Sequence, residues 1–106
     1  RLTKSVALHC GRRRTGIRCN SVHPTYVDSE MLDPVAATFP SREAMLAGMA
    51  EAVPMGRVAR PLDVARACLF LASDESDMVS GSSLLVDGAQ LAGLGGRHTT
   101  QEPEAS

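Results

Sequence analysis

Apolar residues near the start of the chain follow first a helical and then a strand spacing. They recur every four positions from Leu2 to Cys10, which predicts a helix over residues 2–13. The run of residues 17–23 predicts a strand, and we expect it to stop there because Pro24 cannot donate to a sheet ladder. Ligands bind beyond the carboxyl ends of strands in open α/β sheets, so the loop that follows is a candidate binding segment.

Further helical patterns fill the middle of the chain. Residues 30–37 predict a helical turn, and Ser41 is a good N-cap for a helix over about residues 42–52. Pro61 suits the first turn of a helix over residues 62–72, where its missing N–H costs nothing. This last helix is apolar on nearly all sides, so it requires cover on more than one face.

A short apolar run, Ser83–Val86, predicts a second strand. The order helix, strand, helical excursion, helix, strand is an α/β pattern with two strands of a parallel sheet. Because parallel sheets need several strands and cover on both faces, we expect residues 1–94 to be part of a larger domain, as the start at Arg1 rather than Met also suggests. Residues 95–106 contain almost no apolar side chains, and we expect a disordered tail.

The composition is that of an ordinary soluble domain. The chain has 106 residues, of which 43% are hydrophobic and 22% charged, and its net charge is −1. This charge argues against nucleic acid or an anionic membrane as a partner. No signal peptide is recognisable and no apolar run approaches a membrane span, so we expect a cytoplasmic protein.

Cysteine and arginine residues offer no strong metal or phosphate motif. Cys10, Cys19 and Cys68 are isolated and lack metal-ligand spacing, so we interpret them as buried small hydrophobic residues and expect no metal site. Residues 12–14 are three arginines at a predicted helix C-terminus. A solvated helix end that complements the helix dipole explains them better than a phosphate site does.

Three groups of motifs occur in a fixed order. They are Leu2-Thr3-Lys4-Ser5-Val6-Ala7-Leu8, the strand and loop of residues 17–29, and Gly56–Pro61 followed by residues 69–73, Ser80-Gly81 and Val86-Asp87-Gly88. Together they resemble the C-terminal third of the classical short-chain dehydrogenase/reductase family, over about residues 2–94. The resemblance implies the C-terminal portion of a Rossmann-type doubly wound parallel sheet, incomplete as given. Ala89 departs from the family's Asp-Gly-Gly ending, which is tolerated unless residue 89 needs a positive φ.

The resemblance also implies an activity. His23-Pro24, with Cys-Asn-Ser before it, makes the chain similar to bacterial hydroxysteroid and cyclic-alcohol dehydrogenases, which interconvert a secondary alcohol and a ketone with NAD or NADP. Lys4 precedes Asn20 by sixteen residues, whereas the family's catalytic lysine precedes that asparagine by about six helical turns. Lys4 is therefore interpreted as a helix-surface lysine. The catalytic Ser, Tyr and Lys and the Gly-rich loop are expected upstream of Arg1, so no catalytic residue is assigned here.

The loop after the first strand resembles the family's Pro-Gly-x-Val/Ile-x-Thr cofactor loop. Pro24 matches the proline that turns the backbone toward the nicotinamide, and Thr25 stands where glycine is usual, so its Cβ would crowd a close backbone approach. Val27 matches the residue whose main chain binds the carboxamide. Ser29 matches a threonine whose hydroxyl bonds the carboxamide or a pyrophosphate oxygen, and serine keeps that hydroxyl. An ordinary strand-terminating turn is the alternative interpretation.

The excursion after the loop corresponds to the family's mobile lid over substrate. Met31, Leu32, Met45 and Met49 form a Met/Leu-rich set that suits a flat apolar alcohol or ketone. Plain helix packing explains the same residues equally well. His23 is interpreted as a strand-end residue with a satisfied imidazole rather than as a general base.

Two other functions compete with a dehydrogenase. The chain as given is alternatively a non-catalytic truncated fragment, or a binding or association module that kept the dehydrogenase's C-terminal surface. The all-round apolar helix over residues 62–72 indicates a homo-oligomer for the full-length protein.

Overall fold

The computed structural model describes residues 1–94 and divides them between two compact units. The first unit contains Arg1–Pro24 and Arg60–Val86, and the second contains Thr25–Ala59 together with the segment that begins at Asp87. The helices and strands are α1 (Leu2–Arg12), β1 (Ser21–Pro24), a 3₁₀ turn (Glu30–Leu32), α2 (Asp33–Ala36), α3 (Arg42–Ala50), α4 (Pro61–Ala72), a 3₁₀ turn (Asp74–Ser76), β2 (Ser83–Val86) and α5 (Gln90–Leu94). The predicted disorder of residues 95–106 lies outside the described residues.

The two strands of the first unit pair in parallel, as the sequence predicts. Ser21 lies opposite Ser83, and the register continues to Pro24 opposite Val86. β2 has the predicted bounds, but β1 ends one residue later than predicted. Ser21 donates its N–H to the Ser82 carbonyl at 3.0 Å, and alternate residues of a strand face opposite sides. The missing N–H of Pro24 therefore faces away from β2, so the proline does not interrupt the pairing.

The predicted start of the first strand is wrong, because residues 17–20 are irregular. One backbone bond, from the Gly81 N–H to the Cys19 carbonyl at 2.7 Å, and several side-chain bonds hold this segment. The Asn20 amide donates to the Val79 carbonyl at 2.9 Å and accepts from the Ser82 N–H at 3.0 Å. The Arg18 guanidinium donates to the Ser76 carbonyl at 2.8 Å. These bonds hold the segment without a strand partner.

The helices follow the predicted pattern closely. α1 ends one residue earlier than predicted, and Ser41 caps α3 by accepting from the Ala44 N–H at 3.0 Å. The predicted turn over residues 30–37 is a 3₁₀ turn followed by α2. α5 was not predicted, and it begins where the Asp87 carboxylate accepts from the Leu91 N–H at 3.1 Å.

Buried apolar side chains are few in the described residues. Ala7 is buried in the first unit, and Met45 is fully buried in the second with Val53, Val58 and Ala59. α4 has no buried residue, and Leu69 is 70% exposed. Cys68 on the same helix is exposed, so the prediction that all three cysteines are buried is wrong. No helix in residues 1–94 is long and apolar enough to cross a membrane.

Ala89 occupies the left-handed region of backbone space, with a φ of 75°. An alanine there pays a steric cost that glycine does not. We expect Ala89→Gly to raise the free energy of unfolding by about 0.5–1 kcal/mol, measured by urea unfolding of the 106-residue chain. Ala92→Gly, in α5, is the control and is expected to destabilise by up to about 1 kcal/mol. Equal destabilisation by both variants would contradict the assigned conformation.

Candidate functional site

The loop after β1 is held in an extended conformation by one short bridge within the second unit. Val27 pairs with Ala59 in parallel. Ala59 donates its N–H to the Tyr26 carbonyl at 2.8 Å, and its carbonyl accepts from the Asp28 N–H at 2.9 Å. In such a bridge the residue between two bonded neighbours directs its own N–H and C=O to the opposite side. Among residues 1–94, the Val27 N–H and carbonyl have no hydrogen-bond partner.

Thr25 causes no backbone strain at the position where glycine is usual in the family. Within residues 1–94, the non-glycine residues with positive φ are Arg14 and Ala89. The Thr25 hydroxyl donates to the side-chain carbonyl of Gln90, which leaves the half-buried threonine with a fixed side chain. Threonine is therefore compatible with this loop, and its hydroxyl ties the loop to α5.

Ser29 ends the loop and begins the helical excursion. Its backbone is extended, and its Oγ accepts from the Met31 N–H at 3.3 Å as the cap of the 3₁₀ turn. Its carbonyl accepts from the Leu32 N–H at 3.1 Å. A hydroxyl that accepts one hydrogen bond still has its own hydrogen to donate. The Ser29 O–H therefore remains available to donate to a ligand.

Arg42, the first residue of α3, is the centre of a network that sequence reasoning missed. Its Nη2 donates to Asp28 Oδ1 at 2.8 Å, and its Nη1 donates to Asp33 Oδ1 at 2.7 Å. The hydrogen bond to Asp28, followed by the one to Asp33, raises the pKa of Arg42. The partners lie 14 and 9 residues away across a turn, so no helical or strand spacing links them in the sequence.

The four predicted lid residues differ in exposure. Met31 is 87% exposed at the 3₁₀ turn directly after Ser29, whereas Met45 on α3 is fully buried. Leu32 and Met49 are half-buried. In this conformation Met45 packs the interior of the second unit, as the helix-packing interpretation expects, and Met31 presents its side chain to solvent.

Other residues considered in the sequence lie in the first unit. Pro24 is the exposed last residue of β1. The His23 Nε2 shares a hydrogen bond with Ser21 Oγ at 2.8 Å, so its imidazole has a partner. The Lys4 ammonium donates to the Gly81 carbonyl at 3.1 Å and joins α1 to the segment before β2. Lys4 is exposed on α1, and its interpretation as a non-catalytic lysine stays a prediction.

An open groove of about 630 Å³ lies beside α1 in the first unit. Lys4, Arg12 and Arg14 line it together with small and apolar residues. Arg12 and Arg14 are exposed, as a solvated helix end predicts. No residue of the candidate cofactor loop or lid lines this groove.

The sequence and the fold match known dehydrogenases. The short-chain alcohol dehydrogenase family described as enoyl-(acyl carrier protein) reductase matches residues 1–89. An oxidoreductase of the short-chain dehydrogenase/reductase family from Burkholderia thailandensis superposes with a TM-score of 0.78 at 34% identity, over 87% of this chain and 34% of its own. The chain belongs to the short-chain dehydrogenase/reductase family, and the resemblance seen in its motifs is confirmed.

Three relatives within this family are named as dehydrogenases of alcohols or hydroxysteroids. The chain is 41% identical over 88 residues to the cyclohexanol dehydrogenase of Acinetobacter sp. strain SE19, covering 83% of this chain and 31% of that one. It is 39% identical over 93 residues to the 3-alpha-(or 20-beta)-hydroxysteroid dehydrogenase of Mycobacterium tuberculosis, covering 88% and 31%. It is 35% identical over 91 residues to the NADP-dependent (R)-specific alcohol dehydrogenase of Lentilactobacillus kefiri. The match covers 86% of this chain and 34% of that one. The chain spans about a third of the length of these relatives.

Proposed function

We propose that this chain supplies the nicotinamide-side loop and the substrate lid of an NAD(P)-dependent oxidoreductase that interconverts a secondary alcohol and a ketone. Pro24, Thr25, Val27 and Ser29 are the proposed cofactor-binding residues. Met31, Leu32, Met45 and Met49 belong to the proposed lid. The relatives' activities on cyclohexanol, on hydroxysteroids and on an (R)-alcohol with NADP support this proposal.

The observation that carries the proposal is that some polar groups of the loop are already hydrogen-bonded within the protein and others are not. Hydrogen bonds to Ala59 hold the loop at Tyr26 and Asp28, and one to Gln90 holds it at Thr25. The Val27 main chain and the Ser29 O–H are left available on a segment that the protein already holds rigid. A carboxamide has one N–H₂ donor group and one carbonyl acceptor, which complement a free backbone carbonyl and a free N–H. The residues present therefore fit a nicotinamide.

The bound cofactor supplies hydride exchange with the substrate carbon, and this chain's residues orient it. The Val27 carbonyl would accept from the carboxamide nitrogen and the Val27 N–H would donate to its oxygen, which decides which face of the ring is presented. The Ser29 hydroxyl would donate to the carboxamide or to a pyrophosphate oxygen. Because the bridge to Ala59 exists before any ligand binds, little ordering is required at the moment of binding.

The proposed lid has one exposed methionine, Met31, and one fully buried methionine, Met45. Met31 would contact substrate, while Met45 would hold α3 in place from the interior. A flexible, polarizable methionine adapts to a flat apolar ring such as a cyclic alcohol or a steroid. Closure of this segment would exclude water from the reacting groups.

Proton transfer is proposed to come from outside these 106 residues. Tyr26 is the one tyrosine of the sequence, and residue 30 is Glu30, so the chain contains no Tyr-x-x-x-Lys. We infer that the 106-residue chain alone does not turn over alcohols and that it acts with the rest of a dehydrogenase domain.

The experiment that tests the proposal restores that domain. In the fusion dehydrogenase, the Acinetobacter cyclohexanol dehydrogenase is kept up to the point where its similarity to this chain begins, and all 106 residues follow. We expect the fusion to oxidise cyclohexanol with NAD⁺ or NADP⁺, and the 106-residue chain alone to show no turnover. A folded fusion without cofactor binding would reject the proposal.

A folded fusion that binds no cofactor would favour the alternative function, an association module. One observation supports that alternative. On α4, Leu69 is 70%, Leu62 49% and Phe70 42% exposed, which is a large apolar surface for one helix. The same surface supports the proposal of a homo-oligomer for the full-length protein. Sedimentation of the fusion records this assembly alongside the activity.

Ser29→Ala in the fusion dehydrogenase is expected to raise the KM for the nicotinamide cofactor by about fivefold, the equivalent of one net hydrogen bond of ~1 kcal/mol. The reason is the loss of the Ser29 O–H, the proposed donor to the cofactor. Steady-state kinetics with varied cofactor measure it. Ser29→Thr keeps the hydroxyl and is expected to retain the parental KM within about twofold. An unchanged KM in Ser29→Ala would remove this residue from the cofactor site.

A further inference from the structure

One guanidinium joins three segments of the second unit. Arg42 donates from Nε and Nη2 to Asp28 Oδ1, at 3.1 and 2.8 Å, and from Nη2 to the Ser29 carbonyl at 2.7 Å. Its Nη1 donates to Asp33 Oδ1 at 2.7 Å. Asp28 and Ser29 belong to the candidate cofactor loop, Asp33 begins α2, and Arg42 begins α3. The side chain thus connects the loop with both helices of the candidate lid.

We propose that Arg42 is a positioning residue that fixes the cofactor loop, residues 24–29, to the helical segment of residues 30–50. The inference rests on the proposed function and deepens it, because it links the loop and the lid so that they move together. Arg42 touches neither cofactor nor substrate in this proposal. It acts through the backbone of Ser29 and the carboxylate of Asp28.

The bonds of Ser29 show how this positioning works. Its carbonyl accepts from both Arg42 and the Leu32 N–H, and its Oγ accepts from the Met31 N–H. Because the Ser29 carbonyl and Oγ both accept hydrogen bonds, a rotation of the Ser29 backbone would break several of these bonds at once. Arg42 therefore limits the directions in which the Ser29 O–H can donate, and the Asp28 pair extends the restraint to the residue beside Val27.

The chemistry of the contact requires arginine. Two nitrogens of the planar fork reach Asp28 while the third reaches Asp33, an arrangement that a single lysine ammonium cannot reproduce. The pair is also partly open to solvent, with 36% of the Arg42 and 40% of the Asp28 side chain exposed. Exposed ion pairs contribute little to global stability, so we expect the loss of Arg42 to change loop geometry more than folding.

The test uses the fusion dehydrogenase with Arg42→Ala, Arg42→Lys and Asp28→Asn. We expect Arg42→Ala to raise the KM for the nicotinamide cofactor by about five- to tenfold, because charge-assisted hydrogen bonds orient the loop. Arg42→Lys is expected to reverse less than half of this rise in KM on a logarithmic scale. The melting temperatures of both Arg42 variants are expected to differ from the parental value by less than about 4 °C. Arg66→Ala on α4 is the control, because Arg66 has no hydrogen bond or ion pair in residues 1–94 and is expected to leave KM unchanged.

Two further measurements separate positioning from a structural role. Methylguanidine is expected to lower the raised KM of Arg42→Ala and to leave the parental KM alone. Arg42→Ala combined with Asp28→Asn is expected to be no worse than Arg42→Ala, since both remove the same contact. A lower kcat with the parental KM would mean a smaller folded fraction and would overturn the inference.

The remaining outcomes distinguish the two proposals. If the parental fusion binds cofactor and Arg42→Ala keeps its KM, the positioning role is wrong and the proposed function stands. If the folded parental fusion binds neither NAD⁺ nor NADP⁺, the proposed function fails and the inference fails with it. Amide hydrogen exchange of Asp28 and Leu32 in the 106-residue chain gives an independent check, and unchanged exchange in Arg42→Ala would also overturn the inference.

Discussion

Gly88→Ala is expected to lower the free energy of unfolding by about 2–4 kcal/mol, a larger change than that expected for Ala89→Gly. Gly88 has a φ of 58°, a backbone conformation that is sterically unfavourable for a residue with a side chain. A Cβ at this position would also lie 2.5 Å from Val53 Cγ1 and 3.3 Å from Met55 Cβ. Val53 is buried, and its branched side chain is restricted at χ1, so it cannot yield as a long flexible side chain would. Urea unfolding of the 106-residue chain measures the loss.

Two other glycines separate the causes. Gly56 has a φ of 87°, and nothing lies within 4 Å of the position that a Cβ would take, so Gly56→Ala should lose only the backbone part, about 1–2 kcal/mol. Gly48 lies within α3 with open space around it, so Gly48→Ala should gain up to about 1 kcal/mol. Equal effects of Gly88→Ala and Gly56→Ala would contradict the packing of Val53 against Gly88.

Val27→Pro is expected to weaken cofactor binding to the fusion dehydrogenase by at least about tenfold, the largest expected effect on function. Proline removes the Val27 N–H, which is the proposed donor to the carboxamide oxygen. The residue before a proline favours an extended conformation, which suits Tyr26 beside the bridge to Ala59. The bridge itself uses the Tyr26 carbonyl and the Asp28 N–H, both of which the substitution leaves intact.

Val27→Ala is the matched control for this prediction. It keeps the N–H and the carbonyl and removes only part of a half-buried side chain. We expect its dissociation constant for the cofactor to stay within about twofold of the parental value, because a main-chain contact does not depend on the side chain. Fluorescence titration with the reduced cofactor measures both variants. Equal binding by Val27→Pro and the parent would exclude the main-chain N–H as a ligand.

The elements that the sequence predicted well are those set by local signals. The apolar run of Ser83–Val86 and the four-residue spacing of α1 need no distant partner to be recognised. Ser41 caps α3 as its side chain predicts. The loop of residues 24–29 is a candidate site because a proline follows a predicted strand, which is again a local pattern.

The errors arose where long-range contacts decide the structure. Residues 17–20 are predicted to begin the strand, yet the side chains of Arg18 and Asn20 bond to segments about sixty residues away. Cys68 is exposed because nothing in residues 1–94 covers its face of α4. Periodicity along the chain contains no information on either partner.

The candidate site shows the same division. Pro24 and Ser29 were recognisable from their motif, but the bond from Thr25 to Gln90 and the network around Arg42 were not. Both join residues that turns separate in the sequence. The sequence raised the question of a positive φ at Ala89, and only the backbone conformation answered it.

The most direct test of the central claim follows the Val27 amide resonance in a ¹⁵N-labelled fusion dehydrogenase. The protein is titrated with the oxidised cofactor that it uses, and separately with the matching ADP-ribose or 2′-phospho-ADP-ribose, which lacks the nicotinamide. If Val27 binds the carboxamide, its amide shifts with the intact cofactor and stays in place with the truncated one. A Val27 amide that shifts equally with both ligands, or with neither, would contradict the assignment of this loop to the nicotinamide.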